Sequence, residues 1–471
     1  MKDYQLAWRN LWRNKKRTLI TAASVFFAVF FALVMRSFQL GAYDRLFKNV
    51  IEAYSGYLQL QHRDYFDDAI LDNSFEYDDA LGETLKSDLN IKDVVPRLES
   101  FALAAAESRT QGVMVMGIDP EGEDRVSDLR NRLVRFRLSP AAVDALKADA
   151  LPDRIKAILE LYTGETYSGT GRLMLDLGIS DTDTASVLPL IRKHASSVNN
   201  YFSAGETASV IIGSGLSEYL KISVGDTLVL TGQGYHGASA AGKYRVSGIV
   251  RLPAPDIDNI IVYIPIESAR ELYAAPGMAT SAVIGVKDNG DKMVLATGER
   301  LGRVITDPLV VRDWHQLNAL LVNQIEADNK SGAIMIGILY LVIAFGVFGT
   351  MLMMLAERRR EFGMLVSIGM QKRKLAKVIS IEMLLVGFLG VAAGVVASLP
   401  VVIYGNLHPL RFTGQIGRMY EDYGFDPVMP TMLPDTYYLW QTVVVFIILL
   451  VAIAFSIRKI FRINVIEALR A

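Results

Sequence analysis

The 471 residues contain no cysteine. Disulfides, thiolate metal sites and cysteine nucleophiles are therefore excluded. Only five histidines occur, scattered at His62, His194, His236, His315 and His408, and no HExxH pair provides a zinc site. No GxxxxGK[ST] is present, so the chain has no P-loop. No GxSxG elbow is present either. One GxGxxG match, GQGYHG at Gly232–Gly237, is followed by the strand pattern KYRVSGIV. A phosphate site needs a helix N-terminus at that point. The motif reads instead as a flexible hairpin tip. A net charge of −1 gives no electrostatic case for nucleic acid. No enzyme activity, metal or cofactor is expected in this chain itself.

What is present is strongly segregated. The chain is 51% hydrophobic and 21% charged, but charge is nearly missing from four runs: Leu19–Ser37, Gly332–Ala356, Val378–Tyr404 and Tyr437–Ser456. Each meets the length of about 18–20 apolar residues needed to span a bilayer. Basic residues set the orientation. Lys2, Arg9, Arg13, Lys15, Lys16 and Arg17 precede the first run. Arg358–Arg360, Lys372–Lys374 and Lys377 lie between the second and third, and Arg458, Lys459, Arg462 and Arg470 follow the fourth. The 405–436 connection carries only Arg411 and Arg418. Both termini and the 357–377 segment are thus expected in the cytoplasm. No small-x-small site follows the first run, so it is expected to stay uncleaved.

The expected fold is a membrane protein with four transmembrane α-helices and a large α+β extracytoplasmic domain inserted between helix 1 and helix 2. Residues 1–17, with Tyr4, Ala7, Trp8, Leu11 and Trp12 at helical spacing, read as a cytoplasmic interfacial helix. Residues 18–40 are transmembrane helix 1. In the outer domain, 41–311, GYLQLQ alternates as a half-buried strand does. VVPRLESFALAAAES and TQGVMVMGIDP read as two strands joined by a polar turn. A helical insertion occupies about 123–200. Strand patterns return with ASVIIGSGL, GDTLVLTG, KYRVSGIVRL, NIIVYIPI, SAVIGVKD and RVITDPLVV. Residues 312–356 form a stalk continuous or nearly so with helix 2, since Trp314, Leu317, Leu321 and Ile325 share one face. Residues 372–404 hold helix 3. The extracytoplasmic loop 405–436 has the aromatic content of a packed lid. Helix 4 spans 437–457 and a cytoplasmic tail 458–471.

Between helices 2 and 3 lies ERRREFGMLVSIGM, residues 357–370. Phe362, Leu365, Val366 and Ile368 make an apolar ridge, Gly363 permits close approach, and Gly369 fits a helix stop. By pattern alone this is either a helix lying on lipid or a surface helix that receives a push from a soluble partner. Glu382 sits about one turn inside helix 3. An unpaired carboxylate at mid-bilayer costs about 2.5–3.5 kcal/mol, so pairing with an Arg or Lys of the neighbouring loop is expected rather than a proton relay.

ERRREFGMLVSIGMQKRKLAKVISIEMLLVG resembles the second-to-third-span signature of the FtsX-like/MacB-like permeases of ABC transporters, including Glu357, Arg358, Glu361, Gly363, Leu365, Gly369 and Glu382. LAWRNLWRNKKRTLITA is similar to that family's start, and IRKIFRINVIEALRA to its end. The outer-domain stretches SGYLQLQHRDY, VVPRLES…VMVMGIDPEGE and VIIGSGLSEYLKISVGDTLVL resemble most the lipoprotein-releasing (LolC/LolE-type) branch. The resemblance implies a bacterial inner-membrane permease subunit, with ATP and Mg bound by a cytosolic ABC ATPase dimer. It implies an ATPase-coupling surface at Arg358, Glu361, Phe362, Gly363, Leu365, Ile368 and Gly369. It also implies a second permease copy or paralogue, and a lipoprotein or amphiphilic substrate entering near Met35, Phe38, Ile336 and Tyr340. A periplasmic carrier or adaptor stays open, because the hairpin GQGYHGASAAGKYRV is short and has no proline-containing hook. Two alternatives also stay open: a MacB-like exporter of peptides or drugs, and FtsX-like signalling to a cell-wall hydrolase.

Overall fold

A computed structural model describes residues 15–203, 205–412, 416–417, 419–420 and 428–461. The expected interfacial helix at 1–17 and the tail at 458–471 fall largely outside the described residues. The chain divides into two compact units. One holds the apolar helices, and the other comprises residues 46–322 and 411–427.

Among the described residues four helices are long and apolar enough to cross a membrane: Lys15–Val50, Ala319–Glu357, Lys372–Leu407 and Thr436–Phe461. They are called membrane helices 1 to 4. Small residues bring three of them together, as expected where lipid supplies no hydrophobic drive between helices. A Cβ at Gly390 would stand 2.7 Å from the Ala22 carbonyl oxygen and from Val25 Cβ. At Gly394 it would stand 2.8 Å from Val29 Cβ, and at Gly387 2.0 Å from Leu449. Membrane helix 3 thus packs backbone-close on helix 1 and receives the Leu449 side chain of helix 4 against Gly387. The segment Pro430–Met432 straps the far ends of helices 1 and 3. Met432 N–H donates to the Ser37 carbonyl (3.0 Å) and Ser37 Oγ to the Met432 carbonyl (2.7 Å). Thr431 Oγ1 donates to the Val402 carbonyl (2.6 Å). The expected packed lid is, in this part, a strap on helix ends.

Among residues 46–322 as described, the second unit has thirteen strands: β1 (Leu58–His62), β2 (Phe75–Glu76), β3 (Ile91–Ala106), β4 (Arg109–Ile118), β5 (Phe136–Arg137), β6 (Thr166–Tyr167), β7 (Ser209–Gly213), β8 (Thr227–Gln233), β9 (Ser239–Val250), β10 (Ile261–Pro265), β11 (Met278–Ala279), β12 (Ser281–Val286) and β13 (Leu309–Asp313). Nine form one sheet in the order β13-β1-β12-β3-β4-β10-β7-β9-β8. The long β3 serves two partners on one edge. Its first half pairs with β12, and Ala102–Ala105 pair with β8. Six strands, from β3 round to β8, therefore close on themselves. Ala102, Ala104 and Ala106 of β3 face that closed interior beside Tyr244 and Tyr273, small residues set against large ones as a narrow interior requires.

Several readings need correction. GYLQLQ alternates in sequence, but β1 is central in the sheet and buried on both faces. Gln59 and Gln61 are buried too. Gln59 Nε2 donates to the Ser55 carbonyl, and Gln61 Nε2 donates to Gln59 Oε1 (2.8 Å). Of RVITDPLVV only the end is strand, because Arg303 and Val304 complete the helix Asp291–Val304. The GQGYHG tip is pinned rather than free. His236 N–H donates to Asp72 Oδ1 (2.9 Å) and Tyr235 N–H to the Tyr273 carbonyl (2.8 Å). The stalk is broken. Trp314–Leu317 is a single turn, Asn318 leaves the helical region at φ −115°, ψ 39°, and the long helix starts at Ala319. The insertion has its own core around Leu146, Ile155, Leu159 and Leu173, but it also holds the short antiparallel pair β5–β6 rather than helix alone.

One surface contact has a pH consequence. Arg300 on the helix Asp291–Val304 holds Asp88 in a two-pronged bond, Nε to Oδ2 at 2.6 Å and Nη2 to Oδ1 at 2.9 Å. That bond keeps the Asp88 carboxyl below the usual range. A carboxyl depressed in the folded state stabilises above its unfolded pKa, about 3.9, and loses that stabilisation as pH falls through the folded value. Asp88→Asn is therefore expected to lower stability at pH 7 and to converge with the parent once pH has fallen through the folded value. Thermal unfolding followed by circular dichroism against pH checks this, and parallel curves at all pH values would contradict it.

Candidate functional site: the helix between membrane helices 2 and 3

The segment joining membrane helices 2 and 3 is a helix over Arg359–Ser367, set off from membrane helix 2 by one residue. Arg358 has φ −95° and ψ 7°, so the ladder stops there. Glu361 lies in the new first turn, where a carboxylate favours the helix dipole. The far end closes as the Gly369 pattern predicts. Gly369 takes φ +104°, its N–H donates to the Val366 carbonyl (3.1 Å), and Met370 N–H donates to the Leu365 carbonyl (3.0 Å). These two bonds form a Schellman stop. Gln371 is then extended and receives the first bonds of membrane helix 3.

Glu382 has the partner that its depth demanded. Arg358 Nη1 donates to Glu382 Oε1 at 2.8 Å and to Oε2 at 2.9 Å, and Arg358 Nε donates to Glu361 Oε2 at 3.1 Å. Arg358 and Glu382 are both buried. The guanidinium also stands 5.2 Å over the Phe362 ring. A buried charge needs this kind of complete pairing.

The structure splits the ridge read from the sequence. Phe362 and Gly363 are buried, and Val366 is half-buried against the apolar core of the membrane helices. Leu365 and Met364 are exposed, and Ile368 is 85% exposed. The segment thus has a root of Arg358, Phe362 and Gly363, and a free apolar tip of Met364, Leu365 and Ile368. The resemblance puts Arg358 on the coupling surface. Burial and two carboxylates remove it from that surface. Met364 was overlooked because the ridge was drawn at one helical spacing. The Schellman stop widens the free face by turning Ile368 outward.

The other residue group is less gathered. Ile336 is buried, while Met35, Phe38 and Tyr340 are half-buried. Membrane helices 1 and 2 do face each other nearby. Arg36 Nη1 donates to Asn329 Oδ1 (3.3 Å), and Gln39 lies against Gly332. A cleft of about 710 Å³ lies elsewhere, lined by Asp93, Arg125, Tyr201 and Arg270 among others in the second unit. Among the described residues no group of His, Asp and Glu can hold a metal ion.

Four apolar helices, an α+β domain between the first and second, and a buttressed helix between the second and third define a class of multi-pass membrane subunit. The chain matches the FtsX-like permease C-terminal family over residues 333–465. It is similar to the lipoprotein-releasing system transmembrane protein LolC of Neisseria meningitidis serogroup B, 25% identical over 194 residues. That match covers 40% of this chain and 46% of that protein. It is also similar to LolC of Xylella fastidiosa, 23% identical over 392 residues, covering 82% of this chain and 79% of that one. The chain spans about half the length of the first of these relatives. Among solved structures, the periplasmic region of MacB from Actinobacillus actinomycetemcomitans aligns with a TM-score of 0.31 at 12% identity, over 59% of this chain and 98% of that one. The extracellular domain of the noncanonic transporter YknZ from Gram-positive bacteria gives 0.29 at 13%, over 55% and 100%.

Proposed function

We propose that this permease works in the bacterial inner membrane with a separate cytosolic ABC ATPase dimer and a second permease copy or paralogue. In this reading it releases lipoproteins or other lipidated, amphiphilic substrates from the outer leaflet. The supporting observation is the free tip of Met364, Leu365 and Ile368 on a helix whose root is locked. A helix merely resting on lipid needs no buried ion pair to fix its orientation. A helix that must transmit force does. The substrate class follows from the likeness to LolC and from energetics. Removing acyl chains from a bilayer costs about 0.8 kcal/mol per CH₂, so release has to be driven by ATP. The basic flanks place both termini and the coupling helix on the ATPase side. ATP and Mg act in the partner subunit, because this sequence contains no P-loop.

Leu365→Asp tests the reading. The substitution puts a charge on the tip while leaving Arg358 and Phe362 untouched. The ATPase retained on the affinity-purified complex is expected to fall at least tenfold, with normal membrane insertion. Unchanged retention would refute the coupling role. What copurifies with the intact complex separates the substrates: lipoprotein supports release, an outer adaptor supports an exporter, and a hydrolase supports signalling.

A further inference from the structure

We propose that the coupling helix moves as one body with membrane helix 3, not with membrane helix 2, and that Arg358 and Glu382 are the positioning residues of that joint. This rests on the reading of Arg359–Ser367 as the coupling helix. The chain order suggests the opposite, since the helix follows directly from membrane helix 2. The backbone contradicts that suggestion. The helical ladder breaks at Arg358, where one non-helical residue leaves a hinge. Across that hinge a buried ionic contact runs to helix 3. Both Glu382 oxygens accept from a single guanidinium nitrogen, and the same guanidinium reaches Glu361 on the coupling helix. Arg358 therefore ties the first turn of the coupling helix to a point on helix 3.

Helix 3 is also the element best placed to pass motion on. Through Gly390 and Gly394 it touches helix 1, and through Gly387 helix 4. Its outer end is strapped to helix 1 by Thr431 and Met432. Helix 2 also meets helix 1, at Gly332 against Gln39 and Asn329 against Arg36, but its Gly337, Gly346 and Gly349 have nothing within 4 Å. A push on Leu365 and Ile368 thus reaches helix 1 by way of helix 3.

The absence of cysteine permits clean site-specific labelling. Hydrogen exchange on the chain alone, in detergent, tests the joint without any ATPase. In Arg358→Gln the amides of Phe362–Gly369 are expected to exchange about tenfold faster. Those of Met351–Leu355 on helix 2 should be unchanged, and the reversal Arg358→Glu with Glu382→Arg should restore protection. Equal exchange in Arg358→Gln, or a loss spreading equally into helix 2, overturns the proposal. Glu382→Gln, an isosteric change, gives an intermediate loss if the joint is ionic, and no loss overturns it. In the complex with its ATPase, spin labels at Leu407→Cys on helix 3 and Ile334→Cys on helix 2 read the route. Arg358→Gln should cancel the nucleotide response at the first and spare the second, and a spared response at the first overturns the route. If no ATPase binds the parent protein, the functional reading fails while the exchange result still decides the joint.

Discussion

Gly390→Leu is expected to take membrane helix 1 off membrane helix 3 and to leave little stably folded protein. A single added Cβ already meets the Ala22 carbonyl oxygen and Val25 Cβ at 2.7 Å, and neither is the end of a flexible chain. Overpacking typically costs about 1–3 kcal/mol when neighbours can shift. A Leu side chain against backbone on a facing helix gives them nowhere to go. Membrane helices associate by close packing, so separation removes the contact altogether. Gly394→Val should act alike against Val29 and the Phe26 carbonyl, whose oxygen lies 2.9 Å from the built Cβ. The control is Gly346→Ala on helix 2, where nothing lies within 4 Å, and it should behave as the parent does. The measurement is a thermal unfolding midpoint in detergent together with the yield of monodisperse protein. Equal midpoints for Gly390→Leu and Gly346→Ala would show that the close approach carries no weight.

The same glycines show what a sequence can and cannot tell. Their membrane helix was legible, because about 20 apolar residues with basic flanks permit few other structures. Their role was not, because Gly390 and Gly346 look alike until a facing helix is placed. The segment between membrane helices 2 and 3 divides similarly. Gly369 announced its helix stop, since a left-handed residue after an amphipathic turn is nearly always glycine. Glu382 announced that it needed a partner, because burial of a charge is costly wherever it occurs. Which basic residue answered was hidden among Arg358, Arg359 and Arg360, three adjacent and chemically identical candidates. Only the break in the helix at Arg358 turns that one inward. In the outer domain the strands were legible, but the burial of Gln59 and Gln61 was not. Alternation reports polarity, and an internal strand can pair the amide nitrogens of two glutamines with oxygens of its own neighbourhood. The broken stalk was missed for a related reason. Asn318 carries no Gly or Pro signal, yet its side chain donates to Ser55 Oγ (3.1 Å) and to the Trp314 carbonyl (3.0 Å), which competes with the helix.

Arg97→Met is expected to have the largest effect on the outer domain. Arg97 and Glu123 are each 1% exposed, joined by Nε to Oε2 at 2.9 Å and Nη2 to Oε1 at 2.6 Å. The third arm of the guanidinium, Nη1, donates to the carbonyl of Tyr54. Tyr54 lies in the π-helical turn Ile51–Ser55 that ends the long first helix. One side chain therefore connects β3, the helix Pro120–Ser127 and the chain arriving from membrane helix 1. Burial alone would pull the guanidinium down, and Glu123 beside it holds it above its ordinary value, so the cation persists at any working pH. Removing it leaves Glu123 buried with no counter-charge, a change that costs about 3–5 kcal/mol. Domains of this kind are stable by about 5–15 kcal/mol in total, so the loss is a large share. For a domain of this size it corresponds to a fall of roughly 10 °C in the unfolding midpoint. The double variant Arg97→Met with Glu123→Leu removes both charges. It should recover most of the loss, because the pair's own desolvation disappears with it. It should still leave the Tyr54 carbonyl without its donor. The double variant is thus expected to unfold near the parent midpoint while hydrogen exchange at Ile51–Ser55 stays faster than in the parent. A double variant as unstable as the single one would mean that the arginine's packing, not its charge, holds this junction.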